Sequence, residues 1–462
     1  MNILCLTLGF FVFIELLSRI LESKAIADTA VSSITESNYS PSTFLCWARI
    51  LTVIIALTLV TLTCLLGGNA KLILGIIIIF MVVRVFCLKV IIDAAEASVS
   101  SRLNKVLAGE DFTNSSFIFY FSAPDLREPT HVDMWIEPLS SLQKSWFVVL
   151  RERSHLNFFK SSERPNAVFI ENGNQLASVL PENADLIFYA NNGQKNRFMM
   201  NAKPSATHIQ LLHGDSDKPP SYSPLSKNYD YLFVAGQMAI DRYRNHGIDI
   251  SADKFKIVGR PQVRSIETTA TPKSIKTVGY MPTWKGFFED TQFSSLDRAG
   301  TITRTVVQRL SGANLLFKPH PMSFKDPSWK QIKRDVLSQI SQNGRVASPS
   351  ETPFDIMNAS DVLITDISSV MIDYLYSGRP LIVVLPKGFD DSDAWRYPSL
   401  AAAYLVDADL NNLEDIITLA ATEDPMQSKR MEIRNQAFGD IDKRPGEAFK
   451  EVCLNLLNKN YK

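Results

Sequence analysis

Residues 359–386 read ASDVLITDISSVMIDYLYSGRPLIVVLP, and the order of apolar and polar residues in them spells one complete strand, turn, helix and strand. Residues 362–365 form an uncharged run sized for a buried strand. Asp366 stands where a helix N-cap belongs, and Ser368 and Ser369 fall in the first turn. Val370, Met371, Tyr374 and Leu375 then repeat at helical spacing. Gly378 ends the helix, and residues 381–385 are again without charge, as expected of a parallel strand covered on both faces. A helix opening straight from the carboxyl end of a parallel strand points unpaired backbone N–H groups into a crevice. Two hydroxyls beside them make an anion site suited to phosphate. Serines and aspartates at a helix start also serve as plain caps. Asp366 itself suits capping or a sugar hydroxyl, because its charge would repel a phosphate. Ser368 and Ser369 are the better phosphate ligands.

Strands of the same kind continue on either side. Upstream, residues 277–280 and 315–318, and downstream, residues 403–406, join 362–365 and 381–384 in one α/β series. An earlier series runs through 117–122, 146–150, 167–170, 186–189, 208–212 and 231–234, several members separated by helix-sized segments. Residues 251–277 between the two series are polar, contain GRPQVRS and ATPKS, and read as a connector. The expected fold is α/β, a GT-B-like pair of Rossmann-type domains preceded by N-terminal transmembrane helices. Its expected parts are an anchor at 1–93, a juxtamembrane connector at 94–111, an N-terminal Rossmann-like domain at 112–265 and a C-terminal Rossmann-like domain at 266–444. A helix at 445–462 completes the chain, packing back across the hinge.

The membrane expectation comes from three apolar segments, 3–17, 50–66 and 72–92. The second and third approach the roughly 20 residues that cross a bilayer, and a run such as LILGIIIIFMVV leaves no polar face for water. The first is shorter and contains Glu15, and the chain start lacks the basic residues of a signal peptide, so two or three spans are expected. Arg84 and Lys89 lie toward the end of the third span and Arg102 and Lys105 follow it, which puts the long C-terminal region on the cytoplasmic side of a multi-pass cell-membrane protein.

Composition narrows the partners. The 48 basic and 48 acidic residues cancel, so no charge excess points to nucleic acid. Of five cysteines, Cys5, Cys46, Cys64 and Cys87 lie in or beside the apolar region and Cys453 stands alone. That spacing provides neither a disulfide framework nor a zinc site, and no metal ligands are assigned.

Three strand ends in the soluble part carry candidate chemistry. His213-Gly214 follows HIQLL at the place where α/β sheets bind ligands. A neutral imidazole there can take a proton from an attacking hydroxyl, and Gly214 permits close backbone approach. Lys318-Pro319-His320-Pro321 follows NLLF, and its prolines hold a cation and an N–H donor on a stiff loop suited to a diphosphate. Tyr280-Met281-Pro282-Thr283-Trp284-Lys285 closes another strand, with Trp284 able to stack on a base or to pack.

HG, GRPQ, YMPTWK, FKPHP and DVLITDISSVMIDYLYSGRPLI, in this order, resemble the CDP-glycerol glycerophosphotransferase family of teichoic-acid primases and polymerases. The resemblance covers roughly residues 207–386. It implies a GT-B fold and transfer of glycerol phosphate, or a related polyol phosphate such as ribitol phosphate, from a CDP-activated donor to an acceptor hydroxyl with release of CMP. It makes 112–265 the acceptor domain and 266–444 the donor domain. It puts the general base on His213 and the donor diphosphate on His320, Ser368 and Ser369. Lys318 and Asp366 join them as donor-binding candidates, and Gly214, Lys218, Thr283 and Trp284 as further substrate-binding candidates. The acceptor would be lipid-linked or polymeric, at the membrane, and the divalent-metal requirement is open. The sequence departs from the family where Gly214 is followed by Asp215-Ser216-Asp217, and where Ile367 replaces an aromatic ring. Two alternatives stand beside this reading: a nucleotide-sugar-dependent GT-B glycosyltransferase, and an inactive membrane-tethered binding protein of the same fold.

Overall fold

Uncharged β-rich runs such as FIFYF, WFVVL and LIVV can be satisfied only by strands covered on both faces, and this is how the chain uses them. The computed structural model describes residues 112–460 except 113, 125–128, 160–163, 269–273, 287–291 and 325–329, together with residues 31–33 and Gly75. Apart from Gly75, the apolar segments at 3–17, 50–66 and 72–92 and the connector at 94–111 lie outside the described residues. Among the described residues no helix is long and apolar enough to cross a membrane. The expectation of N-terminal transmembrane helices, and of the multi-pass membrane localisation built on them, is corrected accordingly: the described residues do not support it, and the fold they show is the GT-B-like α/β pair. The physical reason is that an apolar run records only that its side chains avoid water. It fixes neither a helix nor whether lipid or protein covers it.

Two units make up the chain: residues 1–130, 144–189 and 193–207 in the first, and 131–143, 190–192 and 208–462 in the second. The first unit is built on β1 (Val31–Ser33), β2 (Phe117–Phe121), β3 (Trp146–Leu150), β4 (Ala167–Ile170) and β5 (Leu186–Tyr189), in the order β1-β4-β3-β2-β5. All these pairings are parallel except that of β1, which runs antiparallel to β4. Residues of β2 to β5 are all buried, and Phe117 stacks on Trp146 at 5.6 Å.

In the second unit β6 (Thr207–Gln210), β7 (Tyr231–Val234) and β8 (Phe255–Ile257) pair in parallel. A six-stranded parallel sheet follows, in the order β11-β10-β9-β12-β13-β14. Its strands are β9 (Thr277–Met281), β10 (Asn314–Phe317), β11 (Gly344–Val346), β12 (Val362–Thr365), β13 (Leu381–Val384) and β14 (Tyr404–Val406). Successive residues feed opposite faces, as a period of two requires. Leu363, Val383 and Leu316 enter one core with Met371 and Tyr374, whereas Val362, Ile364, Ile382 and Phe317 enter the other with Ile302 and Val306. Gly279 in β9 is sterically fixed, since a Cβ there would sit 2.2 Å from Ser360 Oγ.

The helices that matter for the site are α1 (Thr130–Ser140), α2 (Gln237–Asn245), α3 (Ser369–Leu375) and α4 (Glu447–Asn460). α4 lays Phe449 against Trp135 of α1 and Phe233 of β7, at centroid distances of 5.5 and 5.9 Å.

Candidate active site

Strand β6 stops at Gln210, two residues before the expected end, because Leu212 turns into the left-handed region at φ +57°. A leucine there costs about 1–2 kcal/mol and persists only where its surroundings enforce it. Two bonds do so: the Leu212 N–H donates to Gln210 Oε1 at 3.0 Å, and Trp135 Nε1 donates to the Leu212 carbonyl at 2.8 Å. Gln210 is itself pinned by bonds from its Nε2 to the Asn191 carbonyl and to Asn192 Oδ1. The kink delivers half-buried His213, whose Nδ1 lies 3.0 Å from the Ala190 carbonyl. A carbonyl only accepts, so Nδ1 carries the proton and Nε2 keeps its lone pair. Burial lowers the His213 pKa below the usual imidazole value; the Ala190 bond opposes that shift and the Arg260 charge adds to it. The ring is thus held neutral, in the tautomer a base needs.

The turn after β12 differs in detail from its sequence reading. Ser368, not Asp366, is the N-cap of α3, and its side chain makes no capping bond. Asp366 is wholly buried instead, with Oδ2 accepting from the backbone N–H groups of Thr283 at 2.7 Å and Ser295 at 3.2 Å. It therefore ties the YMPT loop to the end of β12. Burial pushes its carboxyl up to about 6, against the pull of those bonds and of the Lys218 charge. Asp366 Oδ1 and Ser368 Oγ are both buried without a hydrogen-bond partner. Such groups are costly unless something satisfies them.

The second unit brings several expected residues to this turn. A Cβ built on Gly214 would lie 3.5 Å from Ser369 Cβ, so the His213 loop runs alongside the start of α3. Lys218 Nζ lies 3.4 Å from Thr283 Oγ1 and 4.9 Å over the Phe293 ring. Burial lowers its pKa to about 8, while Asp366 works to raise it. His320 accepts the Met322 N–H at Nδ1, which leaves the proton of its neutral form on Nε2, and its ring stacks on Trp284 at 6.1 Å. Lys318 is turned elsewhere: its Nζ donates to the Glu351 carbonyl at 2.6 Å.

Three further features carried little sequence signal. Arg260, the arginine of GRPQ, forms a buried ion pair with Asp373 of α3, including a 3.0 Å bond from Nη2 to Oδ2. Asp215 and Asp217, the departures after Gly214, clamp buried Arg242 of α2: Nη1 reaches Asp215 at 2.5 Å and Nη2 reaches Asp217 at 2.8 Å. Asp217 Oδ2 also accepts from the Ser399 N–H at 3.0 Å. These carboxylates anchor the loop and are spent on that role. His131 of α1 stacks on His213, and only the fold brings two residues so distant in sequence together.

Among the described residues no group of three or more His, Cys, Asp or Glu is arranged to hold a metal ion. Comparison with curated proteins returns no match. Among solved structures, a UDP-N-acetylglucosamine 2-epimerase is similar over 76% of this chain and 97% of its own, at 13% identity and a TM-score of 0.50. That likeness concerns the fold. A variant of the wall teichoic acid polymerase TagF soaked with CDPG aligns with 78% of this chain and 94% of its own, at 15% identity and a TM-score of 0.46. Anabaena HepE in complex with UDP and glucose aligns with 74% and 100%, at 13% identity and 0.44. The sequence profile described as CDP-glycerol:poly(glycerophosphate) glycerophosphotransferase matches residues 140–390, more than half of the chain and the whole span from His213 to α3. The chain belongs to the CDP-glycerol:poly(glycerophosphate) glycerophosphotransferase family and is a glycerophosphotransferase.

Proposed function

We propose that the protein extends a glycerol-phosphate polymer of the teichoic-acid type, with His213 as general base. His213 Nε2 takes the proton of the acceptor's terminal hydroxyl. The freed oxygen bonds to the β-phosphorus of CDP-glycerol as the bond from that phosphorus to the bridging oxygen breaks. CMP leaves with the electron pair, and the glycerol phosphate becomes the new chain end. Ser368 and Ser369 receive the diphosphate with the backbone N–H groups at the start of α3, the Lys218 ammonium offsets its charge, and the His320 Nε2–H donates a hydrogen bond to it. Thr283 supports Lys218. Trp284 backs His320, and Lys318 serves the loop and not the donor. Positioning and charge neutralisation then supply most of the rate.

The observation that carries this reading is the meeting of the His213-Gly214 loop with Ser369, which sets a neutral base beside a turn holding an unpaired buried hydroxyl. The test is the fate of CDP-glycerol offered with a synthetic poly(glycerol phosphate) acceptor: stoichiometric CMP supports the reading, and release of CDP overturns it.

A further inference from the structure

His131 and His213 lie face to face, with ring centroids 3.7 Å apart and planes 7° from parallel. Both rings are keyed to one short loop. The Ala190 carbonyl takes the His213 Nδ1–H, and the next residue, Asn191, meets His131 Nδ1 with its side-chain oxygen at 2.8 Å. The loop is in turn fixed by Gln210 Nε2 and the Tyr229 hydroxyl, which both donate to the Asn191 carbonyl. A single hydrogen bond at Nδ1 leaves an imidazole able to pivot about that bond. A second ring flat against its face removes the pivot and fixes the direction of Nε2. The supporting helix is well placed for this, because His131 and Trp135 stand at i and i+4 on one face of α1. Trp135 grips the Leu212 carbonyl while His131 grips the neighbouring ring.

The geometry points to His131 as the positioning residue of the transfer reaction, holding the His213 ring in its attacking orientation by stacking. The inference rests on His213 being the base. Misplacing a reacting group by about 1 Å can cost about 100-fold in rate, so losing the stack should act on kcat and leave donor binding alone.

The test measures kcat and the KM for CDP-glycerol, with a synthetic poly(glycerol phosphate) acceptor, for the wild type and for His131→Ala, His131→Phe and Asn191→Ala, alongside thermal melts. His131→Ala is expected to lower kcat by about 10- to 100-fold at unchanged KM. His131→Phe, which restores a flat ring, is expected to recover most of that loss. Asn191→Ala, which unpins the His131 ring without removing it, is expected to lower kcat by a smaller factor. A purely structural role would lower the melting temperature without this split and without rescue by a ring. Wild-type kcat in His131→Ala, or a Phe variant as slow as the Ala variant, overturns the inference. If His131→Ala does not fold, Asn191→Ala carries the test, and wild-type kcat there overturns it. His213→Ala is the control that separates the two claims. Full activity in it defeats the base assignment itself, whereas an inactive His213→Ala beside a fully active His131→Ala defeats only the stacking role.

Discussion

The Nδ1 of His213 and the carbonyl oxygen of Ala190 lie 3.0 Å apart, and this bond decides which ring nitrogen can act as a base. With Nδ1 committed as a donor, Nε2 alone can accept the proton of an incoming hydroxyl.

His213→Ala is accordingly expected to slow transfer by about 10²–10⁴-fold, with the affinity for CDP-glycerol measured by calorimetry unchanged. Because burial lowers the pKa of His213, the acid limb of kcat/KM should fall below about 6.5, the usual imidazole value. An acid limb above that value, or weakened donor binding in the variant, would assign His213 a different task.

Ser368 and Ser369 distinguish an anion site from a simple cap. The structure shows no side-chain capping bond at Ser368. Replacing both serines by Ala should therefore cost little stability, well under the roughly 0.5–2 kcal/mol of a lost cap. Hydrogen bonds to a charged group contribute about 1.5–3 kcal/mol each, so CDP-glycerol should bind at least about tenfold more weakly. A double variant that melts lower yet binds the donor normally would leave the serines as structural residues only.

Asp366 makes a prediction about pH and stability. Its carboxyl is raised to about 6 in the folded protein against 3.8 for the free group, so ionising it opposes folding. The stability it contributes is complete below about pH 4 and is lost as pH rises through about 6, a change of about 3 kcal/mol at one pKa unit per 1.36 kcal/mol. Asp366→Asn keeps an oxygen for the Thr283 and Ser295 N–H groups and removes the titration. In chemical melts, stability should therefore shift in favour of the variant as pH is raised from about 4 to about 8. A difference that stays constant with pH, or moves the other way, would mean that the buried carboxylate is stabilised in its charged form.

Much of this architecture is written in runs of uncharged β-formers. The strands at 146–150, 167–170, 186–189, 231–234 and 362–365 stand where such runs place them. Strands β8 and β11 escape because each is three residues long and includes a charged residue, Lys256 or Arg345, which an edge strand tolerates and a buried one does not. The candidate site was legible only as positions, where an unusual residue follows a strand, as at His213 and Ser368. It was illegible where partners come from distant segments: nothing local to His131 or Arg260 reveals the ring or the carboxylate each will meet. The same limit explains Asp366, which looks like a cap by spacing yet is claimed by the N–H groups of Thr283 and Ser295, far off in sequence. For the apolar N-terminal runs composition alone was asked to supply a structure, and no described helix is long and apolar enough to cross a membrane.

The central claim is transfer of glycerol phosphate from CDP-glycerol to a polymer hydroxyl, and mass spectrometry of the products tests it most directly. Purified protein is incubated with a short synthetic poly(glycerol phosphate) acceptor and CDP-glycerol, and in parallel with CDP-ribitol. The expected result is an acceptor heavier by whole glycerol-phosphate units, with one CMP released for each unit added. An acceptor left unchanged while the His213→Ala protein and the wild type behave alike, or CDP released in place of CMP, would contradict it.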